Sequence, residues 1–170
     1  MNKIEISLAE TFSEWVYNLN INDIPEEVVN KLQLIVMDSF GLMVSAKNEQ
    51  YIKSLINALQ ENGDCTLVGH NKKVNPFNAS IINGTAIHGE DFDDTFEGTP
   101  VHVGSVMVPA MLSSTQAKNL DGEKFLKGLV VGSELICRLA LVAPTAVHRQ
   151  GFHPTAIFGA FGASIGVSSL

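Results

Sequence analysis

The chain has 170 residues, 45% hydrophobic and 17% charged, which is enough apolar material for one ordinary domain with a sizeable core and too much for a disordered chain. Eighteen acids against eleven Lys and Arg leave a formal net charge of −7, which argues against a nucleic-acid surface, because neutralising phosphates takes clustered cations. Cys65 and Cys137 have no metal-type spacing and make no disulfide framework, so both read as core thiols in a reducing, cytoplasmic setting.

The opening MNKIEISLAE interleaves acids with apolar residues and lacks a signal-peptide core. Ser7 and Glu10 have capping-box spacing, and Leu8, Phe12, Trp15, Val16 and Leu19 recur at helical intervals, predicting a first helix that ends near Asn20. Asn22 to Glu27 then offers a cap, a proline suited to a first turn and acids for the positive end of the helix dipole. Val28, Leu32, Ile35, Val36 and Met43 carry this second helix, in which Gly41 would admit a close neighbour. Tyr51, Ile52, Leu55, Ile56 and Leu59 mark a third helix that stops at Asn62-Gly63, Cys65 to Gly69 fits one short strand, and His70 reads as a surface turn residue.

From Pro76 a small-residue helix leads into the span Asn83 to Gly104, where His88, Glu90, Asp91, Asp93, Asp94, Thr95, Glu97 and His102 are concentrated. If the helix persists, His88, Asp91 and Thr95 share one face at i, i+3 and i+7, and Asp94 joins it three residues after Asp91. Gly98 and Pro100 break any helix, so His102 belongs on a loop that can fold back over that face. Carboxylate, hydroxyl and imidazole together suit proton transfer; the plainer alternative is a solvated acidic helix end, with His88 as a helix-face hydrogen-bonder.

Ser105 to Lys118 reads as a buried helix with an early Pro109. Asp121 caps the next, whose apolar face is Phe125, Leu129, Ile136 and Leu139 and whose Glu134 finds Arg138 four residues on. Pro144 ends it. His148 reads as a surface residue, while His153, held extended by Pro154, opens a last helix whose first-turn N–H groups offer an anion seat. Gly159, Gly162, Ala163 and Gly166 predict close helix packing, in the core or at a subunit interface. The uncharged stretches 98–117 and 154–170 are respectively too polar and too short to span a bilayer, so no membrane partner is expected.

Taken together, Asn83-Gly84, His88, the run Asp91-Phe92-Asp93-Asp94-Thr95, His102-Val103-Gly104-Ser105, Val108-Pro109-Ala110 and Gly151-Phe152-His153 resemble the MmgE/PrpD family in order and spacing. The family includes 2-methylcitrate dehydratase, cis-aconitate decarboxylase and iminodisuccinate epimerase. The resemblance implies an all-α fold over residues 1–170, an N-terminal helical domain without the family's C-terminal part and second domain. It also implies a pocket for small di- or tricarboxylates that uses no metal, iron–sulfur cluster or other cofactor. Asp91 and Thr95 look like the active-site residues of the DFDDT run, and His102 and His153 like the two pocket histidines. The implied chemistry is proton transfer alpha to a carboxylate, with a homodimer mate or a complementing C-terminal chain as partner. Val103 departs from the proline that commonly follows the first pocket histidine.

Two rival readings come from the residues themselves. Asp93-Asp94-Thr95-Phe96-Glu97 fits the D-D-x-x-[D/E] pattern that grips Mg²⁺ in helical diphosphate enzymes, although no second acidic helix or Lys/Arg set accompanies it. The other is an inactive fragment, or a subunit or interaction module with the family scaffold and an incomplete pocket, since an acidic cluster without cationic partners repels a carboxylate guest.

Overall fold

The computed structural model describes residues 6–59 and 61–170, so Met1 to Glu5 of the opening segment lie outside the described residues. The capping box forms as expected: Ser7 Oγ accepts from Glu10 N at 3.2 Å and the Glu10 carboxylate accepts from Ser7 N at 2.7 Å, starting α1 (Leu8–Asn18). The apolar stripe of α1 nonetheless stays largely open, with Leu8 and Tyr17 exposed. After a 3₁₀ turn, α2 (Glu26–Ala46) begins just beyond Pro25, which stands at the cap rather than inside the first turn. Leu32, Met43 and Ala46 are its core residues. Gly41 is a correction to the sequence reading, because nothing lies within 4 Å of where its Cβ would be.

α3 (Gln50–Ala58) is followed by a two-stranded antiparallel sheet of β1 (Asn62–Thr66) and β2 (Lys73–Val74). The strand thus sits earlier than Cys65 to Gly69, because the chain already turns after Leu67: His70 N donates to Leu67 O, and Gly69 takes a φ of +82°. Cys65 is buried and donates Sγ–H to Ser113 O at 3.3 Å, whereas Cys137 is half-buried, its thiol pushed up to about 11 chiefly by burial.

The core is built by α4 (Pro76–His88), α5 (Gly104–Ala117), α6 (Gly122–Val142) and α8 (Pro154–Ser168), with the short α7 (Ala146–Arg149) bridging the last two. Asn75 and Asp121 cap α4 and α6 by accepting from Asn78 N and Lys124 N. Met107, Val108 and Met111 place α5 at the centre. The all-α expectation holds, the small sheet being the one exception among the described residues.

Glycines decide how closely α6 and α8 approach. A Cβ on Gly132 would stand 2.6 Å from Gly162 O, one on Gly162 would stand 2.8 Å from Gly132 O, and one on Gly166 would stand 2.8 Å from Gly128 O. Backbone packs on backbone, so the small-residue pattern belongs to the core of this chain. That seam fixes the axis of α8 and with it the position of His153, the residue at its N-terminal cap.

Candidate active site

α4 ends at His88, and this overturns the expectation of a helical face carrying Asp91 and Thr95. Gly89 N still bonds Thr85 O, but Asp91 N turns back to His88 O at 3.1 Å and Asp91 takes a left-handed φ of +56°, a conformation Asp tolerates better than most residues. The acids beyond leave the helix because their hydrogen-bond partners lie elsewhere. Asp94 accepts from Gly104 N at 2.8 Å and Val103 N at 3.2 Å, capping α5, while Asp93 turns inward to the histidines. The turn is tied down from outside by Tyr51, whose hydroxyl donates to Glu90 Oε1 at 2.9 Å; burial, then Glu90, pushes the phenol up to about 12.

His102 lies on the loop, as expected, and its N–H donates to Thr155 Oγ1 at 3.0 Å, joining the loop to the first turn of α8. Three imidazoles thereby converge from segments remote in sequence. The His88 ring centroid lies 4.8 Å from that of His102 and 5.3 Å from that of His153, with His102 and His153 at 6.1 Å. Beneath them the Asp93 side chain, 1% exposed, places both carboxylate oxygens 3.0 Å from His88 Nδ1 and Oδ1 3.4 Å from His102 Nδ1. His88 Nε2 faces His153 Nε2 at 3.2 Å.

All four residues named from the sequence reach this place. Asp91, 80% exposed at its side chain, sets Oδ1 3.8 Å from His102 Nε2, and Thr95 Oγ1 lies 3.4 Å from His102 Nδ1. Asp93 and Asp94 stand in the acidic run that the sequence singles out, but their partners, the role of Thr155 and the central part of His88 do not follow from it, because those partners lie in other segments. No spacing along the chain announces the pairing of His88 with His153, 65 residues apart.

A cavity of about 340 Å³ opens beside the cluster, lined by Thr85, His88, Ser105, His153, Thr155 and Ala156. It meets the N-terminus of α8, which no side chain caps. Burial, reinforced by His88 and His102, holds the His153 pKa below the ordinary imidazole range. Burial raises the Asp94 carboxyl above its usual range, opposed by the Gly104 N–H it accepts from.

His88, Asp91, Asp93 and His102 each offer a ligand atom within 4.8 Å of one another, so they are the residues that could hold a cation. The D-D-x-x-E arrangement is not assembled, since Asp93 serves imidazoles, Asp94 serves the α5 backbone and Glu97 faces solvent. Among the described residues no lysine or arginine forms an ion pair with these carboxylates.

The sequence model of the MmgE/PrpD N-terminal domain matches residues 10–170. Over an alignment of 178 residues the chain is 30% identical to the cis-aconitate decarboxylase-like protein oryM of Aspergillus oryzae, covering 98% of this chain and 37% of that protein. It is 25% identical to the cis-aconitate decarboxylases of Aspergillus terreus, over 86% of this chain and 32% of the relative, and of Mus musculus, over 95% and 35%. The chain thus spans between 32% and 37% of the length of these relatives.

Proposed function

The chain belongs to the MmgE/PrpD family, and from that premise we propose that its histidine cluster transfers a proton at the carbon alpha to a carboxylate of a small di- or tricarboxylate, without a cofactor. The observation that carries the reading is the gathering of His88, His102 and His153 around a buried carboxylate at the edge of a cavity of about 340 Å³. An imidazole whose pKa lies below the ordinary range is neutral near pH 7 and free to accept a proton, and His153 is such a group on the cavity wall. The uncapped N-terminus of α8 beside it suits a substrate carboxylate.

In this reading His153 and His102 are the acid and base, and Asp91 and Thr95 orient His102 from its two sides. Taking a proton from the substrate carbon leaves the electron pair on that carbon, delocalised into the carboxylate. Loss of a β-hydroxyl then gives dehydration, and return of a proton to the opposite face gives epimerisation. In decarboxylation the same groups deliver a proton to the carbon from which CO₂ departs. Substrates of the 2-methylcitrate and cis-aconitate kind fit this chemistry, and the relatives named for cis-aconitate support it. The setting is cytoplasmic, and the cations a polycarboxylate needs come from a homodimer mate or a complementing C-terminal chain.

Incubating the chain with 2-methylcitrate and with cis-aconitate, alone and together with a polypeptide matching the C-terminal part of its relatives, tests this directly. Turnover abolished by His102→Ala or His153→Ala is expected. Turnover indifferent to both would overturn it. The acids of the cluster, which pair with histidines and backbone but with no lysine or arginine among the described residues, favour a second reading, in which the chain acts as a subunit or interaction module; no turnover in any combination, with stable association to the C-terminal polypeptide, would establish that instead.

A further inference from the structure

Asp93 and His88 are neither the acid nor the base of the chemistry just described, yet they make the closest carboxylate–imidazole contact of the cluster. A carboxylate only accepts, so the atom that sits 3.0 Å from both Asp93 oxygens, His88 Nδ1, must carry its hydrogen. In neutral His88 this leaves Nε2 as a bare lone pair, and that lone pair faces His153 Nε2 at 3.2 Å. Two lone pairs cannot confront each other at hydrogen-bonding distance, so His153 Nε2 is the donor and its Nδ1 is the open proton acceptor. Thr95 and Asp91 make their contacts with His102, which also reaches Asp93 Oδ1, at 3.4 Å against the 3.0 Å of His88 Nδ1.

We propose that Asp93 and His88 form a relay that fixes the tautomer of His153 and holds the proton His153 takes up, His88 and Asp93 acting as positioning residues through His153. This rests on the reading that His153 exchanges a proton with the substrate carbon. The substrate C–H bond breaks, its electron pair stays on carbon, and an N–H bond forms at His153 Nδ1. The Nε2–H bond of His153 breaks in turn, and its proton forms an N–H bond at His88 Nε2. His153 ends neutral, and the positive charge rests on His88 in contact with the Asp93 carboxylate; proton return to substrate runs the same path backwards. Such a transfer suits the surroundings of His153, where burial first, then His88, His102 and His148, disfavours a charge on its own ring and Asp91 favours one.

The tautomers can be read without substrate, by long-range nitrogen–hydrogen correlation spectra of the ¹⁵N-labelled chain at a pH where the imidazoles are neutral. The relay requires a pyrrole-type Nδ1 and pyridine-type Nε2 for His88, the reverse of the form free imidazole side chains prefer, and the opposite pattern for His153. In Asp93→Asn, His88 should revert to Nε2–H, and that hydrogen should drive His153 to Nδ1–H although His153 does not touch residue 93. A His88 that carries its hydrogen on Nε2 in the unaltered chain would overturn the relay, and this needs no variant to fold. So would an Asp93→Asn spectrum in which His88 changes and His153 does not. Because the spectra need no turnover, a wrong tautomer pattern in a chain whose turnover depends on His153 removes only the relay. The right pattern in a chain that never turns over polycarboxylates removes only the catalytic reading.

Discussion

Two regions of this molecule hold α8 in place by opposite means. Along α6 and α8 the contact depends on atoms that are missing, four glycines that let carbonyls of one helix meet the backbone of the other. At the N-terminal end of α8 the contact depends on polar atoms that are present, Thr155 accepting from the His102 N–H and His153 facing His88. The seam has no tolerance for added volume and no functional group to lose. The cluster has room beside it and consists almost wholly of functional groups. Position and chemistry are thereby assigned to different residues of one helix.

The sharpest way to test that division is to truncate a ring and ask what changes. His153→Ala is expected to lower turnover by about 10²- to 10⁴-fold, the usual worth of a placed acid or base, while the denaturation midpoint stays close to that of the unaltered chain. Gly162→Val should do the reverse in kind: its Cβ would meet Gly132 O, and overpacking of this sort costs about 3 kcal/mol, read as a lower urea midpoint at unchanged slope. A Gly162→Val chain of full stability would break the comparison.

Smaller effects refine it. Asp94→Ala removes the cap of α5 and is expected to cost about 1–2 kcal/mol, measurable by urea titration. His153 should also leave a mark on the pH dependence of stability. Its folded pKa lies below the ordinary value of 6.5, so the unfolded chain binds the proton first as the pH drops. The contribution is therefore complete above 6.5 and is lost as the pH falls from there through the folded value. His153→Gln should flatten that acid-side decline. Least of all, Tyr51→Phe removes one exposed hydrogen bond to Glu90 and should cost about 0.5 kcal/mol.

What the sequence disclosed follows the range of the interactions involved. Ser7 with Glu10, Asp121 with Lys124 N, and Glu134 with Arg138 are partners three or four residues apart, so their spacing alone announced them. The glycine spacing of α8 was equally legible as a packing surface, although nothing in it named Gly128 and Gly132 as the other half. The end of α4 was not legible. Asp91, Asp93 and Asp94 were compatible with one more helical turn until their partners were known, and those partners, the α5 backbone and the histidines, come from the fold. For the same reason His88 passed as an ordinary helix-face residue, whereas His102 and His153 stood out through the motifs around them.

The most direct measurement of proton transfer is the entry of solvent deuterium into the carbon alpha to a carboxylate of a bound citrate-type substrate, followed by NMR with the C-terminal polypeptide present. Exchange that the unaltered chain supports and that both His102→Ala and His153→Ala abolish is expected. Exchange that proceeds undiminished in both variants would contradict a catalytic role for the imidazole cluster.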